Sequence, residues 1–166
     1  GLMLVSGNDA AVAIAKYVGG SEAGFVQMMN DKVRELGLRD THFDNSHGLD
    51  SAAHFSTPYD MAVLGRYGLA KPDFARIVAT KQERVDGRGA YPLRNINRIV
   101  HNYPGGDGIK TGYTDLAKQA VVASAGVNGS RAIVVVMRSD GYVADATRLF
   151  DYAFNAFTGV KLDPPV

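Results

Sequence analysis

The chain has 166 residues, about one domain, and 46% of them are hydrophobic, which suits a packed globular core better than a disordered segment. A formal net charge of +1 without a long basic run argues against nucleic acid as the main partner. The absence of cysteine excludes disulfides, thiolate nucleophiles and zinc–thiolate sites. No apolar run reaches membrane-spanning length.

In chain order, Ser6-Gly-Asn-Asp9 precedes the alanine-rich Ala10–Val18, so the spacing predicts a helix capped by Ser6–Asp9 and closed by Gly19-Gly20. A second helix runs over 21–36, with Phe25, Met28, Met29, Val33 and Leu36 at helical spacing, Ser21 as N-cap and Gly37 as stop. Thr41–Asp50 is rich in turn formers and reads as a loop. His42, His47 and His54 raise the question of a metal. Their spacings of five and seven residues do not match a helical pair, and hydrogen bonds that stabilise the loop are the better reading.

Thr57 caps, and Pro58 opens, a helix that includes 61–69, and a shorter one follows over 72–80. The charged, glycine-containing 81–94 reads as a hairpin or surface loop. After Asn95-Ile-Asn-Arg-Ile-Val100, a glycine-rich approach delivers Lys110-Thr-Gly112 onto or beside a strand at a sheet edge. There a lysine ammonium and a threonine hydroxyl suit one carboxylate, and Gly112 has no side chain to block a ligand lying along the strand. A phosphate loop fails because Ile109, not Gly, precedes Lys110 and a strand-like run follows. Taken alone, an incidental lysine in a glycine turn is the simpler reading.

Strands are predicted over 120–125 and 131–138, joined at Asn128-Gly129, and a final helix over 143–157 presents Leu149, Phe150, Ala153, Phe154 and Phe157. The order of elements gives an α+β fold. A helical region covers about 6–80, the sheet with its closing helix about 95–159, and the proline-containing 160–166 reads as a linker. Gly1 without a methionine and the paired Pro164-Pro165 are expected to be the ends of a segment cut from a longer protein.

Ser6-x-Asn8 followed far downstream by Lys110-Thr-Gly112 resembles two of the three signatures of the penicillin-binding protein and serine β-lactamase superfamily. Ser6–Ala11, Thr41-His-Phe with Asn45, His47–Asp50, Phe55-Ser-Thr with Asp60–Ala62, and Asp107–Thr114 narrow the resemblance to low-molecular-mass D-alanyl-D-alanine carboxypeptidases. The loop around His47 argues against a β-lactamase. The resemblance covers nearly the whole chain and keeps the motifs in order.

The resemblance implies a five-stranded antiparallel sheet flanked by helices beside a helical region, with the active site between them. It implies acyl transfer at D-Ala-D-Ala ends of peptidoglycan stem peptides outside the cytoplasm, at the periplasm or the outer face of the cytoplasmic membrane, with β-lactam antibiotics acylating the same serine. It calls for no cofactor, no metal and no nucleic acid, and for membrane contact only through segments outside this chain. By the same resemblance Ser6 relays protons, Asn8 holds the substrate backbone and Lys110 supplies positive potential. Thr111 bonds the substrate carboxylate, Gly112 leaves room along the strand, and the Tyr113 N–H serves an oxyanion hole.

Three departures stand out. No serine has a lysine three residues on, so the Ser-x-x-Lys signature with its nucleophile is absent. The family carries that signature upstream of Ser-x-Asn, so the missing N-terminal segment is an expected partner. The fragment alone is then expected to be inactive and poorly stable, with 132–137 as a bare apolar edge. A non-catalytic peptidoglycan- or penicillin-binding module is the alternative. Second, Ala117-Lys118 stands where relatives carry Ala-Gly. Third, Ile96 stands where many carry a basic residue between two asparagines, which leaves Arg98 and Arg138 as candidate carboxylate anchors.

Overall fold

The computed structural model describes residues 1–86 and 89–157. The predicted linker over 160–166 lies outside the described residues. In chain order the elements are α1 (Leu2–Val5), α2 (Asn8–Gly19), α3 (Glu22–Glu35), α4 (Pro58–Leu69), α5 (Pro72–Ala79), β1 (Gln82–Asp86), β2 (Ala90–Arg94), α6 (Arg98–Asn102), β3 (Gly106–Thr114), β4 (Lys118–Val127), β5 (Ser130–Ser139) and α7 (Tyr142–Ala156). The α+β class is as the sequence predicts.

Local signals set most boundaries. Ser21 Oγ accepts from Gly24 N at 3.0 Å, and Thr57 Oγ1 accepts from Asp60 N at 3.2 Å with Pro58 at the first turn. Helix α3 ends in a Schellman arrangement: Gly37 has φ 68°, its N–H bonds to Arg34 O, and Leu38 N–H bonds to Val33 O. Val33 and Leu38 are both buried there. Asn128 (φ 50°) and Gly129 (φ 78°) form the tight turn between β4 and β5, since both central residues of such a turn need positive φ.

The capping predicted for Ser6–Asp9 is corrected. The N-cap of α2 is Gly7, no side chain caps it, and Ser6 is instead the left-handed end of α1 (φ 57°, ψ 41°). Four residues of α1 carry too little periodicity to be seen in the sequence. The same holds for the five-residue α6, which starts where Asn97 Oδ1 accepts from Ile99 N at 3.1 Å.

The main sheet is antiparallel in the order β3–β4–β5, and β1–β2 form a separate exposed hairpin, as 81–94 suggested. One sheet face carries Val121, Ala123 and Ala125 opposite Val136, Val134 and Ala132. Against it pack Ile99 from α6 and Ala146 and Phe150 from α7, both Ile99 and Phe150 fully buried. Tyr103 and Phe154 extend this core with ring centroids 4.8 and 6.1 Å from that of Phe150. The opposite face meets α4 at Gly65, where an added Cβ would lie 3.0 Å from Ile109 Cδ1 and 3.1 Å from Val122 Cγ1.

The glycines that lead into β3 serve close approach of backbones. A Cβ at Gly106 would stand 2.3 Å from Ile99 O, and one at Gly105 (φ 74°) 2.1 Å from Gly126 O. Just beyond, the ladder shifts register between Gly106 and Gly108. Asp107, at that irregularity, accepts from Ser124 Oγ at 2.7 Å and pairs with Arg131 at 2.6 Å, so the start of β3 is tied to both β4 and β5.

Candidate active site

Strand β3 pairs on one side only, with β4, so its other edge is open among the described residues. Against that edge stands the tip of α1. Lys110 Nζ donates to Ser6 Oγ at 2.8 Å and to Thr111 O at 2.6 Å. Burial pushes the Lys110 ammonium below the ordinary lysine value of 10.5. A serine in the left-handed region is locally strained, and here its hydroxyl faces the only ammonium among the described residues that line the cleft. What holds Ser6 in place is the rest of α1: Leu4 is buried, and its carbonyl accepts from Ile96 N at 2.9 Å.

That contact explains Asn95 and Asn97, both buried. Asn95 Nδ2 donates to Val78 O and Thr80 O, and its Oδ1 accepts from Asn97 N. The pair thus rivets the segment that receives α1 to the end of α5. Asn97 Nδ2 is buried with no partner among the described residues.

A cleft of about 490 Å³ lies between β3, the α1–α2 junction and the 43–54 loop. All six residues expected at a site line it or stand in it: Ser6, Asn8, Lys110, Thr111, Gly112 and Tyr113. Asn8 is exposed, in the first turn of α2, and its amide makes no hydrogen bond among the described residues, so it is free for a ligand. A Cβ at Gly112 would meet no atom within 4 Å, so the room along the strand there is open. Arg98 and Arg138 are not among the lining residues.

The loop wall was only partly legible. Asn45 Oδ1 accepts from His47 N and Gly48 N, while its Nδ2 donates to Leu49 O at 2.9 Å. Ser46 Oγ donates to Glu22 at 2.7 Å and holds that carboxyl below its ordinary value. At the loop's base, buried Asp60 accepts from Thr41 Oγ1 (2.7 Å) and Asp40 N (3.0 Å), and Thr41 also meets Ser56 Oγ. The conspicuous Thr41, Ser56 and Asp60 are therefore foundations of the wall. Asn30, which the sequence did not single out, clamps Phe43 through both its amide atoms at 2.7 and 2.9 Å. A lone asparagine within a helix carries no outward sign of that partner.

The histidines behave as loop braces. His42 Nδ1 lies 2.6 Å from Ala53 O, His47 Nδ1 accepts from Leu49 N, and His54 Nδ1 accepts from Asp44 N. Burial pushes His54 below its ordinary value, which suits a neutral acceptor. Among the described residues no cluster of His, Asp or Glu is placed to hold a metal ion, and no helix is long and apolar enough to cross a membrane.

A cleft that pairs a serine at a helix end with a lysine on an edge strand can hold a carboxylate and pass a proton. The comparison with known proteins decides which family built it. The family model for D-alanyl-D-alanine carboxypeptidase matches residues 1–141. The chain belongs to that family. It is 40% identical over 162 residues to the D-alanyl-D-alanine carboxypeptidase DacF of Bacillus subtilis, covering 95% of this chain and 42% of the relative. With DacB2 of Mycobacterium tuberculosis it shares 36% identity over 93% of this chain and 56% of the relative. Among solved structures, a D-alanyl-D-alanine carboxypeptidase from M. tuberculosis superposes at TM-score 0.88 with 35% identity over 95% of this chain and 62% of that one. The Streptomyces K15 DD-transpeptidase does so at 0.88 with 32% identity, over 93% and 65%. The chain thus spans about two fifths of the length of DacF, and its sheet is part of the penicillin-binding, DD-peptidase fold.

Proposed function

We propose that this chain carries one side of a serine acyl-transfer site that removes the terminal D-alanine from peptidoglycan stem peptides and is acylated by β-lactams. The observation that carries the reading is the Lys110 Nζ–Ser6 Oγ contact at 2.8 Å beside an open strand edge. In this reading the substrate lies along β3, its carboxylate held by Thr111 and the Lys110 charge, and Asn8 takes its backbone. A serine hydroxyl attacks the D-Ala-D-Ala carbonyl. The oxyanion that forms is met by backbone N–H groups, Tyr113 supplying one. Ser6, kept polarised by Lys110, relays the proton lost by the attacking hydroxyl to the leaving amine as the C–N bond breaks, and water then hydrolyses the acyl–serine ester.

The attacking serine is assigned to a Ser-x-x-Lys segment outside this chain, since none of the chain's own serines has a lysine three residues on. In this reading the site acts where peptidoglycan lies, at the periplasm or the outer face of the cytoplasmic membrane.

The test is labelling by a fluorescent penicillin, using the 166-residue chain and the full-length protein side by side. Labelling of the full-length protein alone is expected. Lys110→Ala in it should cut labelling and peptide turnover by roughly two orders of magnitude, the usual loss of one preorganised electrostatic contact. Near-normal turnover of that variant overturns the role of Lys110. Tight non-covalent binding without any labelling identifies a binding module instead.

A further inference from the structure

We propose that Asp50 and Thr114 are a positioning pair that sets the width of the cleft, an inference that rests on the acyl-transfer reading above. The 43–54 loop is well braced within itself and to α3, through Asn45, Ser46–Glu22 and Asn30–Phe43. Across the cleft to β3, a single hydrogen bond among the described residues joins the two walls: Thr114 Oγ1 donates to Asp50 Oδ1 at 2.7 Å. The two residues are 64 positions apart in the chain.

Thr114 is suited to this by a second bond. Its Oγ1 also accepts from Ala117 N at 3.0 Å, so one hydroxyl closes the β3–β4 turn and reaches the loop. The donated proton goes to Asp50 and one of the two lone pairs takes the amide, so the direction of the hydroxyl is set. Thr114 lines the cleft, and so does Leu49, the neighbour of Asp50, at 50% exposure. Holding Asp50 therefore holds Leu49 and Gly48, which line the cleft together with Gly112 and Tyr113. Without the bond, the loop keeps its internal braces and its ties to α3 but has no hydrogen bond to β3 among the described residues. A ligand lying on β3 then meets a wall of variable position, which weakens its orientation before the chemistry.

The test uses full-length protein with Thr114→Val, Thr114→Ser, Asp50→Ala, Asp50→Asn and the Thr114→Val/Asp50→Ala pair. The readouts are the second-order rate of acylation by a fluorescent penicillin, thermal midpoints, and amide exchange at Gly48 and Leu49. Thr114→Val and Asp50→Ala should each slow acylation by roughly 5–10-fold, and the double variant no further, because both remove the same bond. Thr114→Ser and Asp50→Asn keep donor and acceptor and should stay within about twofold of wild type. Exchange at Gly48 and Leu49 should quicken in the slowed variants.

Singles within about twofold of wild type, additive losses in the double, or losses that follow the thermal midpoint without rescue by serine or asparagine overturn the pairing. If wild type itself does not label, the acyl-transfer reading fails, while the exchange comparison still decides whether the pair holds the loop.

Discussion

Lys110 and Ser6 lie 104 residues apart in the chain and 2.8 Å apart in space, with the lysine donating. The lysine is partly desolvated, and among the described residues its hydrogen-bond partners are a hydroxyl and a carbonyl, with no carboxylate. Its charge is therefore uncompensated in the free site and available to an anionic ligand.

The first prediction follows from that desolvation. Because burial lowers the folded-state pKa of Lys110 below 10.5, the unfolded chain binds more protons between the two values. The stability contribution of Lys110 therefore rises with pH across that window, and the full burial penalty is present below it. Relative to Lys110→Met, wild type should gain stability as pH rises toward 10.5 in chemical denaturation. A constant difference, or one moving the other way, refutes the lowered value. Acylation should fall on the alkaline side below 10.5, and Lys110→Arg should abolish that fall.

Ser6 separates strain from chemistry. Its φ of 57° is a conformation that glycine adopts freely and alanine resists. Ser6→Gly and Ser6→Ala should both lose the hydroxyl and slow acylation alike, but the glycine variant should be more stable by about 1 kcal/mol. Equal thermal midpoints would show that the α1 end relaxes without strain.

Lys118 occupies φ 59° at the start of β4, a left-handed conformation that favours glycine. Lys118→Gly should stabilise the protein by about 0.5–1 kcal/mol with unchanged penicillin labelling, since the side chain is exposed and does not line the cleft. Loss of stability in urea denaturation would reveal a compensating role for the lysine.

At the start of β3 the two partners of Asp107 differ in burial. Ser124 is fully buried, whereas the Arg131 side chain is half exposed. Asp107→Ala strands the Ser124 hydroxyl and should cost about 1–3 kcal/mol, while Arg131→Ala should cost about 0–1 kcal/mol. Denaturation midpoints in the reverse order would place the stabilisation in the ion pair.

The sequence by itself determined the α+β class, most helix and strand boundaries and the hairpin at Asn128-Gly129, and its motifs named six residues that the structure brings to one cleft. The class, boundaries and hairpin depend on short-range physics: capping hydroxyls, the 3.6- and 2-residue periods and positive-φ turns, whereas the six residues came from the family resemblance. The sequence misplaced Ser6 as a helix cap because Ser, Asn and Asp before an alanine run look alike whether or not they cap. Only the tertiary structure decided that Ser6 ends a separate four-residue helix held by the Leu4–Ile96 backbone bond. It alone revealed Asn30 on Phe43 and Asp50 on Thr114. Those contacts join residues 13 and 64 positions apart. At such separations no local pattern marks the partner, because the chain is brought together by burial of the sheet face against Ile99 and Phe150.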